Sequence, residues 1–198
     1  MANTAAYNGF QQYSGTGSAP TYEQVAVTIG YNSSAIYNGD PVNPDSNGNI
    51  VVGVTSGAST NTQIAGVFIG CKYLSAAQKR VVWSNYYPGG TDPQSGTIEG
   101  YIVNDPNAKF VAQSGATGLT QADVNMTVGF NIGSGNSSSG ISGAYLNTDV
   151  SLGTDSSQPF KVVALLANPP GANGTESGAY AKAIVAFNNV STKSLTGV

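Results

Sequence analysis

The sequence Val124-Asn-Met126-Thr-Val128-Gly-Phe130-Asn-Ile132 carries an apolar side chain at every second position. Side chains alternate between the two faces of a β-strand, so this spacing puts the apolar residues on one face and the polar residues on the other. An α-helix would instead distribute them around its axis. The stretch therefore predicts a β-strand with one packed face and one solvated face.

Short runs rich in β-branched and aromatic residues recur along the chain from Tyr22 onward. Turn sequences at 38–39, 47–48, 88–90 and 169–171 contain Asn-Gly or Pro and Gly, which supply or fix the backbone angles of tight turns. Only 75–79 and 120–123 have the character of a helical turn. The pattern predicts an all-β fold, a sandwich or jelly-roll-like antiparallel β domain. The predicted strands are Tyr22–Tyr31, Asn49–Val54, Gln63–Leu74, Arg80–Tyr86, Thr97–Val103, Lys109–Gln113, Val124–Ile132, Ile141–Leu146, Phe160–Ala167 and Tyr180–Asn188.

Residues 1–21 differ from the rest, because Tyr7, Phe10 and Tyr13 stand isolated among polar residues and glycine, without a strand or helix period. This composition is typical of an extended N-terminal arm or linker. The sequence leaves two interpretations open: the arm orders only when its aromatic residues dock on a partner, or it is a disordered tail without a role. Residues 22–198 are predicted to form a single β domain, in preference to a division at Ser114–Gly118, which would leave few strands in each half.

The composition argues against several classes of partner. Charged residues make up only 9% of the 198 residues and the net charge is -3, so the sequence carries no basic footprint for nucleic acid or an anionic membrane. The N-terminus lacks the basic and apolar regions of a secretory signal, and no apolar run approaches a membrane span. The sequence predicts a soluble protein made in the cytoplasm. Its single cysteine, Cys71, excludes an intrachain disulfide.

The chemistry of most enzymes is missing from the sequence. The chain has no histidine, which removes Ser-His-Asp and Cys-His nucleophiles and the usual zinc and iron ligand sets. Nucleotide-binding and nucleophile-elbow motifs are absent although 26 glycines give them ample opportunity to occur by chance. We therefore expect a protein that is not an enzyme and that uses no cofactor and no metal.

The acidic residues are the remaining candidates for catalysis or metal binding. Paired carboxylates could hydrolyse a glycoside, but Asp40, Asp45, Asp92, Asp105 and Asp155 all adjoin turn residues, where a role in the turn is favoured. Glu99, inside a predicted strand, is expected to face solvent. The loop 43–48 matches the first half of a calcium-binding loop, but valine at position 54 stands where the bidentate acid is required, so a hairpin tip is favoured.

Two further features have a structural and a functional interpretation. Cys71 lies in an apolar run and is expected to be a buried thiol with no catalytic role. The aromatic group Tyr73, Trp83, Tyr86 and Tyr87 is best explained by core packing. A carbohydrate-stacking platform and a protein-interface anchor remain the alternatives.

Several segments resemble the structural proteins of tailed-phage virions, above all capsid decoration (cement) proteins. The likeness covers about two thirds of the chain and excludes the arm. Its segments are 65–73, 82–90 and 100–106 in the first half, and 121–125, 140–142, 157–163 and 184–188 in the second half.

The resemblance implies a mechanical role on the capsid surface of a virion. The partners it implies are the major capsid protein and further copies of this chain, with a trimer favoured over a dimer. Low charge suits such contacts, because interfaces made by amides and aromatic residues are little weakened by salt. The candidate interface residues are Tyr7, Phe10, Tyr13, Trp83, Tyr86 and Tyr87. The alternative function is a tail- or fibre-associated carbohydrate-binding or host-adhesion module, and a glycosidase ranks third.

Overall fold

The computed structural model describes residues 3–16, 24–54, 63–90, 92–166 and 177–193. These residues form β-strands, turns and one 3-10 helical turn at Gln121–Asp123, so the predicted all-β class is confirmed. The strands are β1 (Gln11–Ser14), β2 (Gln24–Thr28), β3 (Ile36–Tyr37), β4 (Pro41–Pro44), β5 (Ile50–Val52), β6 (Gly66–Leu74), β7 (Val81–Ser84), β8 (Tyr86–Tyr87), β9 (Glu99–Val103), β10 (Lys109–Gln113), β11 (Thr127–Asn131), β12 (Tyr145–Asn147), β13 (Phe160–Leu165) and β14 (Lys182–Phe187).

The strands are arranged in two six-stranded sheets and one short pair. The first sheet has the order β1-β10-β14-β13-β11-β12. The second has the order β2-β9-β6-β4-β5, with β7 also paired to β6. Strands β3 and β8 pair separately. All pairings between these named strands are antiparallel, as the sequence predicts.

The main core lies on one face of the first sheet. In β14 the alternate residues Ala183, Val185 and Phe187 are buried and the residues between them are partly exposed. Phe110 of β10 and Phe160 of β13 join them, with Phe160 and Phe187 stacked at 5.7 Å between ring centroids. The period-2 pattern of the sequence is thus the pattern of burial.

The second sheet is buried on both faces along part of its length. In β6, Val67 belongs to the main core whereas the next residue, Phe68, belongs to a second apolar cluster. Val103 and Ile102 of β9 divide between the two clusters in the same way. A continuous apolar run such as 67–69 is the sequence signature of a strand covered on both faces.

The N-terminal segment departs from the arm that the sequence predicts. Over its described residues, 3–16, it packs on the β domain, and β1 extends the first sheet by pairing with β10. Phe10 is only 2% exposed and stacks on Phe160 at 4.4 Å. Phe10 therefore fills a pocket in its own chain and needs no partner to bury it.

Hydrogen bonds fix this segment at both ends. Near its start, the amide of Ala6 donates to the side chain of Gln113 at 2.8 Å, and Gln113 donates to the carbonyl of Thr4 at 2.9 Å. Near its end, the amide and hydroxyl of Thr16 donate to Asp105 at 2.7 and 2.8 Å. These hydrogen bonds involve backbone and polar groups, so the spacing of apolar residues in the sequence does not predict them.

Most predicted strands contain an observed strand, and Lys109–Gln113 matches β10 at both ends. The prediction missed the short strands β1, β3 and β4. The helical turn expected at 120–123 is present. The predicted turn at 169–171, the strand residues 22, 23 and 167, and residues 1–2 and 17–21 of the predicted arm lie outside the described residues.

Candidate binding face on the second sheet

One row of side chains crosses three strands of the second sheet. Lys72 of β6 lies opposite Trp83 of β7 on one side and opposite Glu99 of β9 on the other. Residues directly opposite one another share a face of the sheet, so the three side chains project together. Trp83 is 68% exposed, which is unusual for the largest apolar side chain of the chain.

The row is ordered by contacts among its members and Tyr101. The Lys72 ammonium lies 2.9 Å from the Glu99 carboxylate and 5.4 Å from the centroid of the Trp83 ring. The hydroxyl of Tyr101 donates to Glu99 at 2.7 Å, and its ring lies nearly parallel to that of Trp83, at 10° and 5.7 Å between centroids. We call the surface formed by Lys72, Trp83, Glu99 and Tyr101 the Trp83 face.

The charges on the Trp83 face stabilise one another. The hydrogen bond from Lys72 lowers the pKa of Glu99, and the hydrogen bond to Glu99 raises the pKa of Lys72. Both groups are therefore ionised near neutral pH and form a pair that is electrically neutral as a unit. The pair restrains the exposed aromatic rings without giving the surface a net charge.

A shallow cavity of about 350 Å³ adjoins the two rings. Gly70 contributes to its lining, where a Cβ atom would come within 2.9 Å of the carbonyl oxygen of Ser84. The absence of a side chain at this position allows the backbone at Ser84 to approach closely. The lining consists of Gln24, Ile69, Gly70, Cys71, Trp83, Ser84, Asn85 and Tyr101.

The other predicted interface residues occupy different environments. Tyr87, like Phe10, lies in the core, where its hydroxyl donates to the carbonyl of Tyr31 at 2.8 Å, so the interface prediction for these two side chains is corrected. Tyr86 stacks on Tyr37 at 5.5 Å, and Tyr7 on Tyr145 at 4.1 Å. The six residues do not form one surface.

Tyr13 is 50% exposed at the edge of the first sheet. Of the six, only Tyr13 and Trp83 combine an aromatic side chain with high exposure. Of these two residues, Trp83 stacks on a second aromatic ring, that of Tyr101.

Sequence reasoning missed Tyr101 and Lys72 as partners of Trp83. Lys72 and Trp83 are separated by a turn, and Tyr101 lies a further strand away in the chain. Their proximity depends on the order β9-β6-β7 in the sheet, which no local pattern specifies. The only available signal was the alternate spacing of Glu99 and Tyr101 within one predicted strand.

The carboxylates that the sequence singled out serve local structure. Asp45 accepts hydrogen bonds from the amides of Asn47 and Asn49, both at 2.8 Å, at the tip of the β4–β5 hairpin, so the hairpin interpretation is confirmed. Asp40 is buried, accepts from the amide of Tyr37 at 2.7 Å, and has its pKa raised by burial. Within the described ranges, no group of three or more His, Cys, Asp or Glu residues is placed to hold a metal ion.

Cys71 is buried, and its thiol lies 3.4 Å from the carbonyl oxygen of Tyr86. Burial raises the pKa of the thiol to about 12. Because the thiolate is the reactive form, the geometry suits a structural residue.

We expect native Cys71 to react slowly with a water-soluble thiol reagent at neutral pH and rapidly, at one equivalent, after denaturation. The rate is measured by absorbance with an aromatic disulfide reagent. The denatured protein is the control for complete reaction. Fast stoichiometric labelling of the native protein would contradict this placement of Cys71.

Comparisons of this chain with models of known protein families, with curated proteins and with solved structures give no significant match. None of the residues described by the structure form a helix with the length and apolar character needed to cross a bilayer.

Proposed function

We propose that this chain is a non-enzymatic structural protein of a phage virion, which binds the outer capsid surface and stabilises the head. The sequence resemblance to decoration proteins supplies the biological setting. The observation that carries a binding function is the exposure of Trp83 on a sheet whose neighbouring side chains hold it in place. An exposed tryptophan that neighbouring side chains hold in place is a common anchor of protein interfaces.

The composition of the Trp83 face suits contact with a large protein surface. Aromatic rings supply apolar area with little loss of side-chain entropy on binding, and the Lys72–Glu99 pair supplies hydrogen-bonding groups around them. Because the charged groups are already paired, binding should depend little on salt. Many equivalent capsid sites would make a modest affinity effective.

The test is binding of the full chain to undecorated capsids of the phage that encodes it. We expect the substitution Trp83→Ala to weaken binding by at least about tenfold, as truncation of an aromatic anchor commonly does. The matched control is Tyr31→Ala, because Tyr31 is also an exposed aromatic residue but lies outside the Trp83 face, where its backbone carbonyl accepts a hydrogen bond from Tyr87. Binding is measured by co-sedimentation at low and high salt.

Unchanged binding of the Trp83→Ala variant would remove the Trp83 face from the interface. Absence of binding by the unsubstituted chain would overturn the decoration role. Thermal unfolding of each variant is the control for folding, since the exposed side chain of Trp83 contributes little to the core.

The second candidate is a carbohydrate-binding module of the tail or fibre. The cavity beside Trp83 and Tyr101 favours it, because aromatic faces flanked by the amides of Gln24 and Asn85 suit the apolar face and the hydroxyl groups of a sugar ring. Binding to host surface polysaccharide that the Trp83→Ala variant loses, together with no binding to capsids, would favour this function over the first.

A further inference from the structure

Two sets of five strands, one from each large sheet, have the same order. With β1 and β7 set aside, the second sheet has the order β2-β9-β6-β4-β5 and the first sheet has the order β10-β14-β13-β11-β12. Numbered along the chain, both sets have the order 1-5-4-2-3. All neighbours in this order are antiparallel in both sets.

Each set closes on itself through the residue that follows its first strand. A parallel bridge joins that residue to the third strand: Ile29 to Ile50 in one set, and Ser114 to Leu146 in the other. In both sets the next residue is a glycine whose amide donates to the carbonyl of the same partner, at 3.1 and 3.0 Å. A sheet joined end to end in this way is a barrel. We call the set from β2 to β9 the N-terminal barrel and the set from β10 to β14 the C-terminal barrel.

The fourth and fifth strands pair with the same irregularity in both barrels. In the N-terminal barrel the register shifts after Phe68, which lies opposite Ile102. In the C-terminal barrel it shifts after Val162, which lies opposite Val185. One extra residue follows on the fourth strand in each case, so both barrels have a β-bulge at the same place.

The strand pairs define one residue-by-residue correspondence between the barrels. Followed from the bulge through the fifth and first strands, the pairs make Ile29 the equivalent of Ser114. Followed through the second and third strands, they make Ile50 the equivalent of Leu146. The closing bridges join these same residues, so the correspondence holds around the whole of each barrel. Register, bulge and closure are set separately by the residues of each strand, and here all three agree.

The equivalent inward-facing residues are buried in both barrels. Those of the N-terminal barrel belong to the second apolar cluster, and those of the C-terminal barrel belong to the main core. The equivalent pairs are Val42 and Val128, Ile50 and Leu146, Phe68 and Val162, and Ile102 and Val185. Two further residues of the N-terminal barrel, Val67 and Val103, also belong to the main core, so the barrels share a packed boundary.

We infer that residues 24–103 and 109–187 are two copies of one structural unit, a closed five-stranded barrel, and that the Trp83 face is an addition to the N-terminal copy alone. Strand β7, which carries Trp83, lies in the connection between the fourth and fifth strands of that copy. It is the strand set aside when the two orders are matched.

The residues that hold Trp83 in place differ between the two copies. The correspondence puts Leu166 at the position of Lys72 and Lys182 at the position of Glu99. A leucine cannot form the ion pair, so the C-terminal barrel has no counterpart of it. Function commonly lies in such local additions to a scaffold. Assignment of binding to the N-terminal barrel rests on the proposed function, whereas the repeat does not.

The repeat is tested by amide hydrogen exchange of the full chain, followed by NMR. The amides of Gly30 and Gly115 close the two barrels, whereas those of their exposed neighbours Tyr31 and Ala116 donate no hydrogen bond within the described residues. We expect each glycine amide to exchange at least about a hundredfold more slowly than its neighbour. Fast exchange at either glycine would mean that this barrel is open and would overturn the inference.

Nuclear Overhauser contacts between the fourth and fifth strands give a second readout on the same sample. We expect one extra residue after Phe68 and one after Val162, with regular pairing on both sides. A bulge found in only one barrel, or at different places in the two, would contradict the equivalence.

Assignment of the binding face is tested with substitutions at equivalent positions. Tyr101 and Ile184 correspond, and both are half-buried. We expect Tyr101→Ala to weaken binding to undecorated capsids at least about tenfold and Ile184→Ala to change it by less than about twofold. Equal weakening by both would assign binding to both copies and overturn this part of the inference. Thermal unfolding checks that each variant is folded.

Failure of the proposed function remains distinguishable from failure of the repeat. If the unsubstituted chain does not bind capsids, the proposed function and the assignment of binding are both overturned. The exchange and Overhauser measurements use no capsid, so they decide the repeat in either case.

Discussion

Substitution of Phe10 by alanine is expected to lower the free energy of unfolding by about 3–5 kcal/mol, as removal of a fully buried phenylalanine side chain does. Phe10 is stacked on Phe160, and the centroid of its ring lies 6.5 Å from that of Phe130 in an edge-on arrangement. Because the ring is buried, its removal loses these contacts and leaves a cavity in the core. The neighbouring Gly9 is packed tightly against Gly39, which limits collapse of the backbone into the cavity left behind.

The matched control is Tyr13→Ala in the same segment. Tyr13 is half exposed, so its truncation should cost less than about 1 kcal/mol. Urea unfolding followed by fluorescence measures both variants, and comparison of the slopes checks that each unfolds in one transition. A Phe10→Ala variant as stable as the Tyr13→Ala variant would mean that residues 3–16 detach from the domain in solution, as an arm would.

The substitution Gly118→Ala is expected to have an effect of similar size. Gly118 has a backbone φ of +79°. A Cβ atom at this position would overlap the carbonyl of Gly178. Gly178 is held in place because it forms an antiparallel bridge with Leu119. The left-handed conformation costs a residue with a side chain about 1–2 kcal/mol. Overpacking adds about 1–3 kcal/mol, which gives a total of about 2–5 kcal/mol.

Gly48→Ala is the matched control, because Gly48 has nearly the same φ, +78°, with no atom near the position of its missing Cβ. Only the conformational cost of about 1–2 kcal/mol applies there. The difference between the two variants in thermal or urea unfolding isolates the steric contribution. Equal losses of stability would show that the loop at 118 moves to accommodate the methyl group.

The environments of Trp83 and Tyr87 could be predicted from the sequence only in part. The sequence favours core packing for the aromatic group that includes Trp83 and leaves an exposed binding role open as the alternative. For Tyr87 that interpretation is confirmed by its burial in the second apolar cluster. Trp83 and Tyr87 lie four residues apart with similar neighbours, so only the position of each strand in its sheet distinguishes them.

The N-terminal segment illustrates the opposite error. Its residues carry no period, and composition alone therefore predicted an arm. Strand β1 is an edge strand that binds β10 through its backbone, and every residue type except proline offers the same backbone groups. Two aromatic side chains complete the attachment: Phe10 stacks on Phe160 in the main core, and Tyr7 stacks on Tyr145, both partners being distant in sequence.

The sequence by itself determined the class of structure and the chemistry that it lacks. Alternation of apolar residues and the glycine- and proline-containing turns act between near neighbours, so they specify strands and reversals wherever the chain goes. The absence of histidine is likewise a property of the sequence alone. The tertiary structure decided which strands are neighbours, and hence that Lys72, Trp83 and Tyr101 form one face and that Phe10 is core. These outcomes depend on contacts between residues distant in sequence, where the stability of the whole packing selects one pairing among many that each strand alone would accept.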